Sequence, residues 1–324
     1  MKKARRFVVT ISTLTFLAGS TIAVAPSHAA PRNQARAVVS ADWLEKNLDN
    51  PKVRIIEVST EAGLYEKGHI KNAVKINWYT ELVDTVNRDI VSPSNFNKLL
   101  QNAGIDRDST VVFYGDRNNW FAAWGAWIFN GYGVRDVRLL DGGRVKWDKD
   151  GRPFTTAVPT FKAGNFTAGF RKIDQSLRAT LTADVLPAAL AVASGKAAKV
   201  KLVDIRSADE YNGKVFAAPG FQELAIRAGH IPGAVNVPWG ANVNADGTFK
   251  SVDDLRKLYA DKGIDGKTNI ITYCRIGERS SLTWFVLSEI LGYNVKNYDG
   301  SWTEYGNTVG VPIQNNAGTV WGAA

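Results

Sequence analysis

The chain is written twice, and this duplication limits what its 324 residues can fold into more than any other feature. "EKGHIKNAVKINW" at 66–78 returns as "RAGHIPGAVNVPW" at 227–239. "SADWLEKNL" from Ser40 pairs with "TADVLPAAL" from Thr182, and "TVVFYGD" from Thr110 pairs with "NIITYCR" from Asn269. "LLDGG" from Leu139 pairs with "NYDGS" from Asn297. The four pairs are collinear at an offset of roughly 140–160 residues, far longer than any solenoid period. Each copy is therefore a domain with its own core. The boundaries read 38–150 for the first and 177–324 for the second. The joining stretch 151–176 is broken by Pro153, Pro159, Gly164 and Gly169.

Within the second copy, short apolar runs alternate with helical patterns. "VKLVDI", "AVNVP", "NIITY" and "VKNY" are strands. "SVDDLRKLYADKG" is an amphipathic helix with Ser251 as N-cap and Gly263 as stop, and "SSLTWFVLSEILG" is a second helix, starting near Ser280. Apolar runs without alternation are strands buried on both faces. The fold class is α/β: two tandem domains, each a mainly parallel sheet flanked by helices. Trp120, Trp124 and Trp127 lie at helical spacing and read as an apolar face at the domain contact.

The first 29 residues carry the pattern of a signal peptide: basic Lys2, Lys3, Arg5 and Arg6, the apolar run "FVVTISTLTFLAGSTIAVA", and small Ser27 and Ala29 before a cleavage point. The expectation is an exported protein, periplasmic or secreted, with no membrane attachment after cleavage. Removing those four basic residues lowers the formal charge from +9 to +5. This modest and dispersed excess suits small anionic substrates and gives no support for nucleic-acid binding.

An exported protein lives where disulfides form, yet Cys274 is the only cysteine and cannot form one within the chain. It stands at a strand end, before a helix, with Arg275, Gly277, Glu278 and Arg279 in the next five positions. A helix N-terminus and two guanidinium groups favour the anion, so the thiol is expected to ionise below its ordinary pKa of about 8.5. Tyrosine-type phosphatases place five residues between Cys and Arg. Here there are four, and the next position is Ser280, which cannot clamp phosphate as Arg does. Cys274 with the scattered His28, His69 and His230 has no metal-ligand spacing.

The tandem copies, "GHIPGAVNVPW" and "YCRIGERSS" resemble the rhodaneses, and the resemblance spans nearly the whole chain after residue 29. It implies a thiosulfate sulfurtransferase with Cys274 as nucleophile, a persulfide intermediate, and cyanide or another thiophile as acceptor, without a cofactor. Backbone amides of Arg275, Ile276, Gly277, Glu278, Arg279 and Ser280 would receive the transferred sulfur, and Arg275 or Arg279 would hold the sulfonate. The basic loop is unlike the Gly, Ser or Ala-rich loop of the mercaptopyruvate branch, which stays as the alternative beside a persulfide carrier that delivers sulfur to a protein. Arg206 matches the family's Asp-x-Arg. It either faces the pocket or forms a structural pair with Asp204, and Glu210 supports the same region. His69 and His230 occur in both copies and read as structural, and Trp239 and Trp284 read as pocket lining. Asp116 is expected opposite Cys274, which would leave the first copy inert.

Overall fold

The structure is a computed structural model that describes residues 34–169, 172–222 and 224–322. The segment read as a signal peptide lies outside the described residues. Among those described, no helix is long and apolar enough to cross a membrane.

In the first copy the strands are β1 (Val38–Val39), β2 (Val53–Glu57), β3 (Ala73–Lys75), β4 (Val83–Asp84), β5 (Asp89–Ile90), β6 (Thr110–Tyr114) and β7 (Asp136–Leu140). Five make a parallel sheet in the order β1-β7-β6-β2-β3, while β4 and β5 form a small antiparallel hairpin. The second copy has β8 (Lys201–Asp204), β9 (Val235–Asn236), β10 (Ile270–Tyr273) and β11 (Val295–Asn297), parallel in the order β11-β10-β8-β9. Arg178 bridges to Asn297 in parallel and takes the edge place that β1 holds in the first copy. Every residue of β10 is buried, which is why that strand reads as an unbroken apolar run.

The strand registers refine how the copies superimpose. Val38 faces Leu139, and Arg178 faces Asn297. Two residues after each, a hydroxyl caps a helical turn: Ser40 accepts from the Trp43 amide at 3.1 Å and Thr180 from the Ala183 amide at 3.4 Å. Thr180, not Thr182, is therefore the counterpart of Ser40. Tyr114 faces Glu57 as Tyr273 faces Asp204, and each tyrosine hydroxyl accepts an isoleucine amide, Ile70 at 3.0 Å and Ile231 at 3.2 Å. The residue opposite Cys274 is thus Gly115. The expected partner, Asp116, lies one position further on, where its carboxylate accepts the amides of Thr60 and Glu61.

The helices that follow β6 and β10, Trp120–Gly131 and Glu278–Phe285, pack against each other at the centre of one apolar cluster drawn from both copies. The tryptophan face does what its spacing predicts. Trp120 meets Trp239 edge-on at 4.7 Å, and the Trp127 indole donates to the Leu177 carbonyl at 3.0 Å in the second copy. Trp124 borders the loop after Cys274. The helix Val252–Ala260 starts at Ser251, whose hydroxyl accepts the Asp254 amide at 3.1 Å. Residues 151–166 run along the first copy, where Thr155 pairs with His69 and buried Phe166 donates its amide to the Ile105 carbonyl.

A side chain at Gly115 would place its Cβ 2.2 Å from the Val58 carbonyl oxygen, a backbone atom that cannot swing aside. Gly115→Ala should therefore destabilise the protein by about 1–3 kcal/mol. Gly240→Ala, where no atom lies within 4 Å of the added carbon, should stay within about 0.5 kcal/mol of the parent. The comparison is read from urea denaturation midpoints.

Candidate active site

Cys274 follows β10 directly and is fully buried. The chain must turn from strand to helix in four residues, and Gly277 makes this possible with φ +97°. A Cβ at Gly277 would lie 2.5 Å from the Trp124 ring and 2.7 Å from the Asp299 Cα. No other residue fits the turn. The helix begins at Glu278, two positions before the expected Ser280, because Gly277 in the left-handed conformation serves as its N-cap.

Several groups act on the sulfur. The Gly277 amide donates to Sγ at 3.1 Å, the thiol donates to Glu278 Oε2 at 3.2 Å, and the Arg279 charge lies close enough to act on it. The expected ionised thiol does not follow from this geometry. Burial pushes the Cys274 pKa above the ordinary thiol value, the Glu278 carboxylate pushes it further, and Arg279 and hydrogen bonds from Ser280 only oppose the rise. The arginine that was to activate the thiol is itself neutralised: Arg279 is buried and grips Glu210 with both terminal nitrogens, at 3.2 and 3.1 Å. Burial works against ionisation of Glu210, but Arg279 and the Ser207 amide hold its carboxyl below the usual range. Glu210 also closes a capping box with Ser207 on the short helix Ala208–Tyr211.

The other predicted residues take the following places. Arg275 lies over the Phe221 ring and donates to the Gln222 carbonyl at 2.9 Å, with Glu278 at 4.0 Å. The Ile276 carbonyl accepts from Arg88 of the first copy at 2.9 Å. The Ser280 hydroxyl, fully buried, donates to Asn297 Oδ1 at 2.7 Å. Arg206 does not join the loop. It is buried against Asp204, with contacts of 2.6 to 3.2 Å, donates to the Gly229 carbonyl at 2.7 Å and lies over the Trp302 ring. Desolvation makes an unpaired guanidinium there prohibitive, so Arg206 turns to its carboxylate and away from the pocket. His69 and His230 are structural: each stacks on a tyrosine and places both ring nitrogens against oxygen atoms. Trp239 is half-buried against Trp120, whereas Trp284 is fully buried with its indole on the Val295 carbonyl and belongs to the core.

Arg88, at the tip of the β4–β5 hairpin, was not singled out from the sequence. It also faces Asp299 at 3.6 Å, and 188 residues separate it from the carbonyl it grips. No local signal marks such a contact. Asn297 did leave a signal, since it is a polar residue on a buried strand where the first copy has Leu139. It ties Ser280, Ser281 and Thr272 together beneath the loop. At the seam of the copies a cavity of about 310 Å³ opens between Arg88, Arg178, Tyr298, Asp299 and Thr303, and Cys274 does not line it. Among the described residues, no cluster of three or more His, Cys, Asp or Glu is arranged to hold a metal ion.

The rhodanese-like domain profile matches residues 40–150 and 187–308. A protein of Thermus thermophilus named "Sulfur carrier protein TtuD" is 52% identical over 85% of this chain and 95% of its own length. A protein of Mycolicibacterium smegmatis named "Putative thiosulfate sulfurtransferase" is 50% identical over 86% of this chain and 97% of its own. The solved structure of SseA from Escherichia coli, described among 3-mercaptopyruvate sulfotransferases, superimposes with a TM-score of 0.66 at 27% identity, covering 82% of this chain and 98% of that one.

In the folded protein the thiolate absorbance of Cys274 should appear only above the ordinary thiol pKa of about 8.5, measured as the ultraviolet difference between wild type and Cys274→Ser. The sign for stability follows. The unfolded thiol releases its proton first, so this group's contribution is present below about pH 8.5 and is lost as pH rises through the folded pKa.

Proposed function

This chain belongs to the rhodanese family, and we propose that it is a thiosulfate sulfurtransferase that carries sulfur as a persulfide on Cys274. The observation that carries this reading is the setting of the only thiol, which lies at the end of the central strand with the Gly277 amide aimed at its sulfur, Arg275 in the same loop and Arg279 in the helical turn that follows. In the first step the sulfur of Cys274 attacks the outer sulfur of thiosulfate, and sulfite leaves. The amides from Arg275 to Ser280 then receive the terminal sulfur. Arg275 takes the sulfonate. It is the less tightly held of the two arginines, with Glu278 at 4.0 Å, whereas Arg279 is gripped by Glu210 at 3.1 Å. Because Cys274 has no exposed surface, donor entry requires side chains around the loop to shift. In the second step a thiophilic acceptor, cyanide in the test tube, removes the sulfur. Gly115 leaves the first copy without a nucleophile, and its role is to wall the loop with Trp124 and Arg88. We also propose, from the N-terminal pattern alone, that the protein acts after export.

A second reading, delivery of the sulfur to a protein, is favoured by the name of the Thermus relative. Turnover with cyanide, set against stable transfer to a purified protein acceptor, separates the two. Mercaptopyruvate as donor draws on a structural neighbour of lower identity and is disfavoured by the arginines of the loop.

Thiosulfate without acceptor should add the mass of one sulfur atom to the intact protein, and Cys274→Ser should abolish both this gain and thiocyanate formation. A charge-assisted hydrogen bond contributes about 1.5–3 kcal/mol, so Arg275→Gly should lower kcat/KM for thiosulfate about ten- to a hundred-fold and that for mercaptopyruvate much less. An unchanged ratio of the two constants would remove Arg275 from donor selection.

A further inference from the structure

We propose that Glu278 is a catalytic residue of the sulfur transfer, accepting the Cys274 proton as the sulfur attacks and passing it to the departing sulfite. The proposal rests on the sulfurtransferase reading and adds to it a proton path. Glu278 is the first residue of the helix after the thiol loop and is almost fully buried, with Oε2 at 3.2 Å from Sγ. Its other oxygen, Oε1, faces Arg279 Nε at 3.8 Å and Arg275 Nη2 at 4.0 Å. From the neighbouring elements, Glu210 is turned to Arg279, and Asp299 is held by Arg178 and Arg88. The first copy brings the neutral Trp124 ring and Arg88 to the loop. Glu278 is thus the carboxylate in hydrogen-bond contact with the thiol.

The charges make a proton transfer necessary. Thiosulfate is a dianion, and an ionised Glu278 would repel it during the attack. A thiol with its proton is a poor nucleophile, and burial keeps the proton on Cys274 at rest. Moving the proton to Glu278 during attack resolves both problems, because it creates the nucleophile and turns the repelling carboxylate into a neutral hydrogen-bond donor. The S–H bond breaks toward Oε2, Sγ bonds to the outer sulfur, and the sulfur–sulfur bond of thiosulfate breaks with its electron pair left on sulfite. The proton then moves to sulfite. Cys274 thiol and thiosulfate dianion give Cys274 persulfide anion and hydrogen sulfite, so atoms and charge balance and no oxidant is needed.

The test is the rate of persulfide formation in a single turnover, followed by intact mass across pH, in wild type, Glu278→Gln and Glu278→Asp. The wild-type rate should stay level through neutral pH. Glu278→Gln removes a negative neighbour and should make the thiol easier to ionise. Even so, it should react about tenfold or more slowly at neutral pH, because the hundredfold or more that a general base supplies is only partly offset. Its rate should climb in proportion to hydroxide. Glu278→Asp should keep the level profile at a lower rate. A Glu278→Gln protein that matches or exceeds wild type at neutral pH would show that the carboxylate only burdens the thiol, and would overturn the proposal. If that variant does not fold, the Asp variant decides: a level profile supports the proton path and a hydroxide-dependent one overturns it. If wild type takes no sulfur from thiosulfate, the sulfurtransferase reading fails. The same profiles measured with methyl methanethiosulfonate then judge Glu278 alone.

Discussion

The turn at Gly277 is the constraint on which the rest of the second copy depends. A parallel strand must become a helix within four residues, beneath an indole of the other copy and against the backbone at Asp299. The left-handed glycine aims its own amide at the sulfur and places Glu278 and Arg279 in the first helical turn, one against the thiol and one against Glu210. The polar side chains that this turn buries find their partners in Asn297 and the two serines. The local chemistry of the thiol is therefore a by-product of how tightly the two domains close.

The copies show how one architecture can be satisfied by different residues. Both bury a guanidinium that donates to a glycine carbonyl beneath the "GHI" segment. In the first copy Arg144 does so, paired with Glu57 and lying over Phe154; in the second Arg206 does so, paired with Asp204 and lying over Trp302. The amide after the central strand also needs an acceptor. Asn119 supplies it to Gly115, whereas Ser301 supplies it to Cys274 from a strained φ of 51° at the position where the first copy has Gly143. Removing one partner of such a buried pair costs about 3–5 kcal/mol, so these arrangements change together or not at all.

Features set by local patterns were legible in the sequence. The Ser251 cap, the tryptophan face and the two structural histidines follow from spacing and repetition alone. What needed register was less legible. The repeat carries two registers: "TVVFYGD" against "NIITYCR" sets Gly115 opposite Cys274, the later Asp-Gly turn sets Asp116 there, and strand pairing decides for Gly115. Direction and desolvation were illegible. Three charged residues near a thiol suggest activation, but whether an arginine faces sulfur or carboxylate depends on contacts across the fold, such as Arg279 with Glu210 and Arg206 with Asp204.

Glu210 performs two tasks with one carboxylate. It finishes the cap of a four-residue helix and it is the counter-ion of a buried arginine beside the thiol. A helix this short has little stability of its own. If that single turn unwinds, Arg279 loses its partner and its unbalanced charge falls on Cys274. The reactivity of the sulfur is thereby coupled to the melting of a surface turn 64 residues earlier in the chain, so secondary structure adds to the burial that holds the thiol quiet.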